Sequence, residues 1–215
     1  LLGGYRDKVP AYADGIGYDK DLTPQKVAAL VQAHAALGYD AVKFHLTKPD
    51  PEAALETVIL SREALGPDRK LMIDAHRMWH GKLAAEMAVK FEPYNLFWIE
   101  HDNEDPEALA QLKASTTTPI CSGEQLLGVR QYQPYFKRHA MDTVKVDVQW
   151  QGFSQSKKVA DLAETYDLNI APHNYGSHLS SFQSLNLTAS VSNVRIMESD
   201  VDAAPWRDEL TTVLP

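Results

Sequence analysis

Cysteine is nearly absent. Cys121 is the single one in 215 residues, which excludes a framework of internal disulfides and fits a reducing compartment. Within its apolar run that thiol reads as a small buried strand residue. Long hydrophobic runs are missing too: no stretch reaches the roughly 18 apolar residues of a membrane-spanning helix. The N-terminus lacks the charged and apolar regions of a secretory leader. The expectation is a soluble, cytoplasmic chain with no membrane partner. Basic clusters are also lacking. Lys and Arg number 21 against 29 Asp and Glu, a formal charge of −8, so no nucleic-acid face is expected. No glycine phosphate fingerprint follows the first strand, and no low-complexity segment interrupts the chain.

What is present is a steady rhythm. With 44% hydrophobic content, the chain has enough apolar residues for one substantial core. Short apolar runs over 9–13, 41–45, 70–74, 96–100, 119–124, 142–147, 168–173 and 194–198 read as strands. Between them lie helical patterns, three opened by Thr23-Pro24, Asp50-Pro51 and Asp105-Pro106, each a side-chain cap followed by proline at the first helical position. Asp14-Gly15-Ile16-Gly17 reads as a turn, and a helix over 129–136 is expected to break near Pro134. One strand tip follows another after roughly 23 to 31 residues, the size of one βα unit. About eight such strands predict a closed parallel barrel, with an open doubly wound sheet as the alternative.

A parallel barrel gathers the C-terminal tips of its strands at one mouth. Here those tips carry Lys43 and His45, Asp74 and His76, Glu100, Glu124, Asp147, His173 and Glu198. Any one of them alone is an ordinary solvated strand end or helix cap. Together they are mutually repelling carboxylates that only a function would gather. Asp74, Glu100 and Glu124 come from successive strands and offer only oxygen, which suits Mg²⁺; His76 or His101 joining them would favour zinc. Lys43 and His173 flank this set in strand order, and Asp147 is placed to orient His173. Glu198, if protonated, could donate to a developing oxyanion. Its ordinary alternative is a helix cap or a salt bridge to Arg195 or Arg207.

The order Lys, Asp, Glu, Glu, Asp, His, Glu on successive tips resembles the mandelate racemase branch of the enolase superfamily, over its barrel portion. So do the phrases Val42-Lys43, Leu71-Met72-Ile73-Asp74, Phe97-Trp98-Ile99-Glu100, Ser122-Gly123-Glu124 and Ala171-Pro172-His173-Asn174. Pro205-Trp206-Arg207-Asp208 is similar to the tail of its acid-sugar dehydratases. The resemblance implies an α/β fold, a modified TIM-type (β/α)₇β barrel without its N-terminal capping domain. Residues 1–8 would be a linker from that cap, 9–200 the catalytic barrel and 201–215 the start of a C-terminal segment.

It further implies Mg²⁺ on Asp74, Glu100 and Glu124, with Lys43 as acid or base on one face and the His173–Asp147 dyad on the other. Glu198 would help hold the substrate carboxylate or enolate oxygen. His76 stands where much of the branch has Asn; in galactonate dehydratase-like members that histidine expels the leaving hydroxyl. His45 replaces a second lysine and, with His178, is expected to touch substrate. The implied function is a lyase of acid-sugar catabolism, a hydro-lyase giving a 2-keto-3-deoxy acid from a small sugar acid, in a homo-oligomer. Its rivals are a racemase or epimerase of a 2-hydroxy acid, a zinc-dependent hydrolase or aldolase, and a barrel fragment without activity.

Overall fold

A computed structural model describes residues 2–17, 19, 21–202 and 204–214. Eight parallel strands form one sheet: β1 (Ala11–Ile16), β2 (Ala41–His45), β3 (Lys70–Asp74), β4 (Trp98–Glu100), β5 (Ile120–Ser122), β6 (Thr143–Asp147), β7 (Asn169–His173) and β8 (Met197–Asp200). Each of β1 to β7 pairs with its successor in sequence except β7, and β8 returns to pair with β1. The remaining seam is fastened by one bridge, Ile170 to Val194, with Ile170 N donating to Asn193 O and Arg195 N to Ile170 O. The result is a nearly closed TIM-type barrel, not the open-sheet alternative.

Helices cover the outside: α1 (Pro24–Ala36), α2 (Pro51–Leu65), α3 (Gly81–Phe91), α4 (Pro106–Ala114), α5 (Gly128–Lys137), the short α6 (Val148–Gln151), α7 (Phe153–Glu164), α8 (His178–Ser190) and the short α9 (Pro205–Asp208). Thr23, Asp50 and Asp105 each cap the helix that follows, accepting a backbone N–H with a side-chain oxygen. The break expected at Pro134 does not occur. That proline lies inside α5, whose Tyr132, Tyr135 and Phe136 are buried.

Period-two alternation decides what faces where. On β2, Val42 and Phe44 pack outward against the helices, while Ala41, Lys43 and His45 occupy the alternate positions. Tyr12, Ala41, Met72, Trp98, Cys121 and Ala171 form a separate apolar cluster inside the barrel. Two residues further along β2, β3 and β4 the interior turns ionic, with Lys43, Asp74 and Glu100 all buried. The hydrophobic floor thus carries a charged upper layer at the strand tips.

Candidate active site

Register lines the tips up. His45 pairs with Asp74 and Asp74 with Glu100 across β2, β3 and β4, while Asp147 pairs with His173 across β6 and β7. The structure brings the tip residues of β2 to β4 and of β6 and β7 into register, and it leaves His178 apart from them. That residue begins α8 and its Nε2 lies 2.7 Å from Asp208 on α9; no described contact joins it to the cluster.

Three interior residues were missed. Asp14 was read as part of a turn, yet β1 continues through Ile16 and buries this carboxylate. Gly15 has φ +121°, and a Cβ there would lie 2.6 Å from Asp202, so the glycine serves a close approach within the strand. Tyr12 and Lys145 sit one rung below the tips. Lys145 donates to Tyr12 at 2.5 Å and to Glu198 at 2.5 Å, and Tyr12 also donates to Glu198.

Lys43 lies beside Lys145. Its Nζ is 2.9 Å from Glu100 and 3.0 Å from Glu198, with Asp14 and Asp74 each at 3.8 Å. Burial works against its charge, but Asp14, Glu100 and Glu198 outweigh that and hold the ammonium firmly protonated. Glu198 departs from expectation. Burial would raise its carboxyl, but Lys145 and Lys43 hold it well below the ordinary carboxylate range, so it is ionised. Its partners are these lysines rather than Arg195, which bonds Thr143 and Phe97, or Arg207, which bonds Asp200.

Two histidine groups flank the carboxylates. On β7, His173 Nδ1 is 2.6 Å from Asp147 Oδ2, and its Nε2 is 3.6 Å from Glu124. Asp147 Oδ1 also accepts from Gln149 and Trp150 N–H, so one carboxylate caps α6 and fixes the imidazole. Burial opposes the imidazolium, yet Glu198 and Asp147 bring His173 up to about 9. On the other side, His45 Nδ1 lies 3.2 Å from both His76 Nε2 and Asp74 Oδ2, while its Nε2 faces Asp14 at 3.2 Å. Burial again opposes the charge, and Asp14 with Asp74 brings His45 to about 10.

In the interior Asp14, Asp74, Glu100 and Glu198 face Lys43 and Lys145, with His45 against Asp14 and Asp74 and His173 at 3.9 Å from Glu198. Glu124 responds to burial and to one of these carboxylates in particular. Burial first, and then the charge of Glu100, pushes its carboxyl up to about 7. Glu100 Oε1 is buried without a hydrogen-bond partner. An orphaned carboxylate oxygen together with a carboxyl that resists ionisation fits a hard cation. Even so, Asp74, Glu100 and Glu124 do not converge tightly. Among the described residues, the trio with ligand atoms all within 4.8 Å of one another is His45, Asp74 and His76. Asp74 turns to His45, and Glu100 to the two lysines.

Asp102 accepts from Ser122 Oγ and Gly123 N, each at 3.1 Å, and so steadies the loop that carries Glu124. Beside it His101 is buried, and loss of solvent, with His80 nearby, lowers it to about 4. Cys121 is fully buried, as expected of a structural thiol.

Among known proteins, the chain is 29% identical to the D-xylonate dehydratase of Haloferax volcanii over 98% of its own length and 56% of that protein. It is 30% identical to the D-gluconate dehydratase of Thermoproteus tenax, covering 98% of this chain and 45% of the relative. With the L-talarate/galactarate dehydratase of Salmonella typhimurium identity is 34%, over 80% and 44%. The chain therefore spans about half the length of the curated relatives it matches. A candidate L-alanine-DL-glutamate epimerase from Burkholderia xenovorans, solved with magnesium and fumarate, superposes with a TM-score of 0.92 at 27% identity, covering 99% of this chain and 62% of that one. A family model described as enolase C-terminal domain-like matches residues 26–215.

Proposed function

The chain belongs to the enolase C-terminal domain-like family, and from that membership we propose that it is the barrel of a magnesium-dependent acid-sugar dehydratase. The observation that carries this reading is the pair of imidazole groups, His173 with Asp147 at the tips of β7 and β6 and His45 with His76 at those of β2 and β3, on either side of buried carboxylates. The dehydratase names of the relatives support it at 29–34% identity.

Asp74, Glu100 and Glu124 are the residues that would hold Mg²⁺. Bound there, the ion would supply positive charge to the substrate carboxylate as its α-proton leaves. The protein's own groups do the rest. The base must be an imidazole in its neutral form. His173 then takes the α-proton, with Asp147 fixing its orientation. Lys43 and Lys145, both buried and cationic, keep positive charge beside Glu100 and Glu198. His76, half exposed at the mouth, gives a proton to the β-hydroxyl. The C–H and C–O bonds break, water departs, and the enol product tautomerises to a 2-keto-3-deoxy acid.

The same two imidazole groups favour a second reading, epimerisation, in which one removes the proton and the other returns it on the opposite face. A screen of sugar acids with Mg²⁺, run in deuterium oxide and read for 2-keto acid, separates the two. Keto acid supports the dehydratase. Deuterium in recovered substrate with no keto acid supports epimerisation, and neither result with any acid tested refutes both. Abolished exchange in His173→Asn identifies the base; persistent exchange moves that role to the Lys43 and His45 side.

A further inference from the structure

The trio His45, Asp74 and His76 has the form of a cation site of different chemistry from the oxygen set. Its donors are two imidazole nitrogens and one carboxylate oxygen. Bonds of about 2.1 Å at tetrahedral angles set neighbouring donors about 3.4 Å apart. Here His45 Nδ1 is 3.2 Å from His76 Nε2 and 3.2 Å from Asp74 Oδ2. The two imidazoles stack, with centroids 5.0 Å apart and planes 21° from parallel.

A second observation is independent of this convergence. A metal-binding histidine commonly gives its other ring nitrogen to a carboxylate, which fixes the tautomer and orients the ring. His45 turns Nδ1 toward the trio and Nε2 toward Asp14, whose two oxygens lie at 3.2 and 3.3 Å. Asp14 is itself buried on β1. His76 supplies the entrance, because its side chain is half exposed while those of His45 and Asp74 are covered. Three protein donors and an open fourth position describe a site that keeps room for water or a ligand oxygen.

The geometry points to a nitrogen-preferring divalent cation site on His45, Asp74 and His76, suited to zinc, cobalt or nickel, with Asp14 orienting His45. Imidazole donors select these ions over magnesium. The site shares Asp74 with the oxygen set, and occupying it engages both imidazoles of this side. On the dehydratase reading it is therefore inhibitory, but its existence does not rest on that reading.

Cobalt(II) titration tests it, with visible absorption as the readout and circular dichroism as the check on folding. The Glu124→Gln variant serves as the parent, to weaken competition from the oxygen set. The expected result is a visible ligand-field band that saturates at one ion per chain. It is lost in His76→Ala, and Asp14→Asn raises the half-saturation concentration at least about tenfold. His76→Gln is the second variant should His76→Ala fail to fold. A band that survives loss of the His76 imidazole, or no band at all, overturns the site. Cobalt uptake without keto-acid formation from any substrate would refute the dehydratase reading alone; dehydration with no cobalt band would refute this site alone.

Discussion

His173 and Asp147 are register partners on β7 and β6, and their side chains meet at 2.6 Å. Because the His173 imidazole is raised to about 9 from an ordinary 6.5, the fold binds its proton more tightly than the unfolded chain does. The stability it contributes is fully present below pH 6.5 and is lost as pH rises through about 9. In Asp147→Asn, the His173 titration followed by NMR in metal-free protein should move down toward 6.5. On the dehydratase reading, α-proton exchange should fall by about 100-fold or more.

Glu124 reports on the metal. Its carboxyl is raised to about 7 by burial and by Glu100, while a ligand oxygen must be ionised. Magnesium affinity should therefore drop as pH falls below about 7, and binding near neutrality should release a proton. Calorimetry in buffers of different ionisation enthalpy measures that release. Without metal, the same raised value means that stability is lost as pH rises from the unfolded-state value through about 7. Glu124→Gln should flatten both dependences.

Lys145 is fully covered and ion-pairs with Glu198 and Glu100. Lys145→Met leaves those carboxylates short of a cation, and removing one partner of a buried pair costs about 3–5 kcal/mol. Urea unfolding should show a loss of that size, and Lys145→Met/Glu198→Gln should recover part of it. Equal stability of the two variants would mean that the lysine is not balancing Glu198.

Gly17 backs onto His45. A Cβ there would lie 2.5 Å from the His45 carbonyl oxygen, at a φ of +119° that side chains avoid. Gly17→Ala should cost about 1–3 kcal/mol and displace His45 from Asp14 and Asp74. Thermal unfolding measures the first effect, and the His45 imidazole resonances report the second.

Much of this was legible in the sequence because strand tips announce themselves. An apolar run ending in an acid or histidine, repeated at a βα spacing, specifies both the barrel and the mouth. Asp14 was hidden because a following glycine looks like a turn, whereas Gly15 lets Asp202 approach the strand. Tyr12 and Lys145 were hidden for another reason. A lysine within a strand carries no local sign of facing inward; that depends on Glu198 and Glu100 arriving from distant strands. The charge of Glu198 followed from the same omission, since the expected neutral form left out the two ammonium groups beside it.

Among the described residues the seam between β7 and β8 has one backbone bridge, and Asn174 crosses it by donating its N–H to Glu198 Oε1 and its Nδ2 to Glu198 O. Glu198 is thus the clasp of the hoop as well as the counterion of two lysines. Prising those staves apart would strand both ammonium groups in a dry interior, so wall and electric field must fail together.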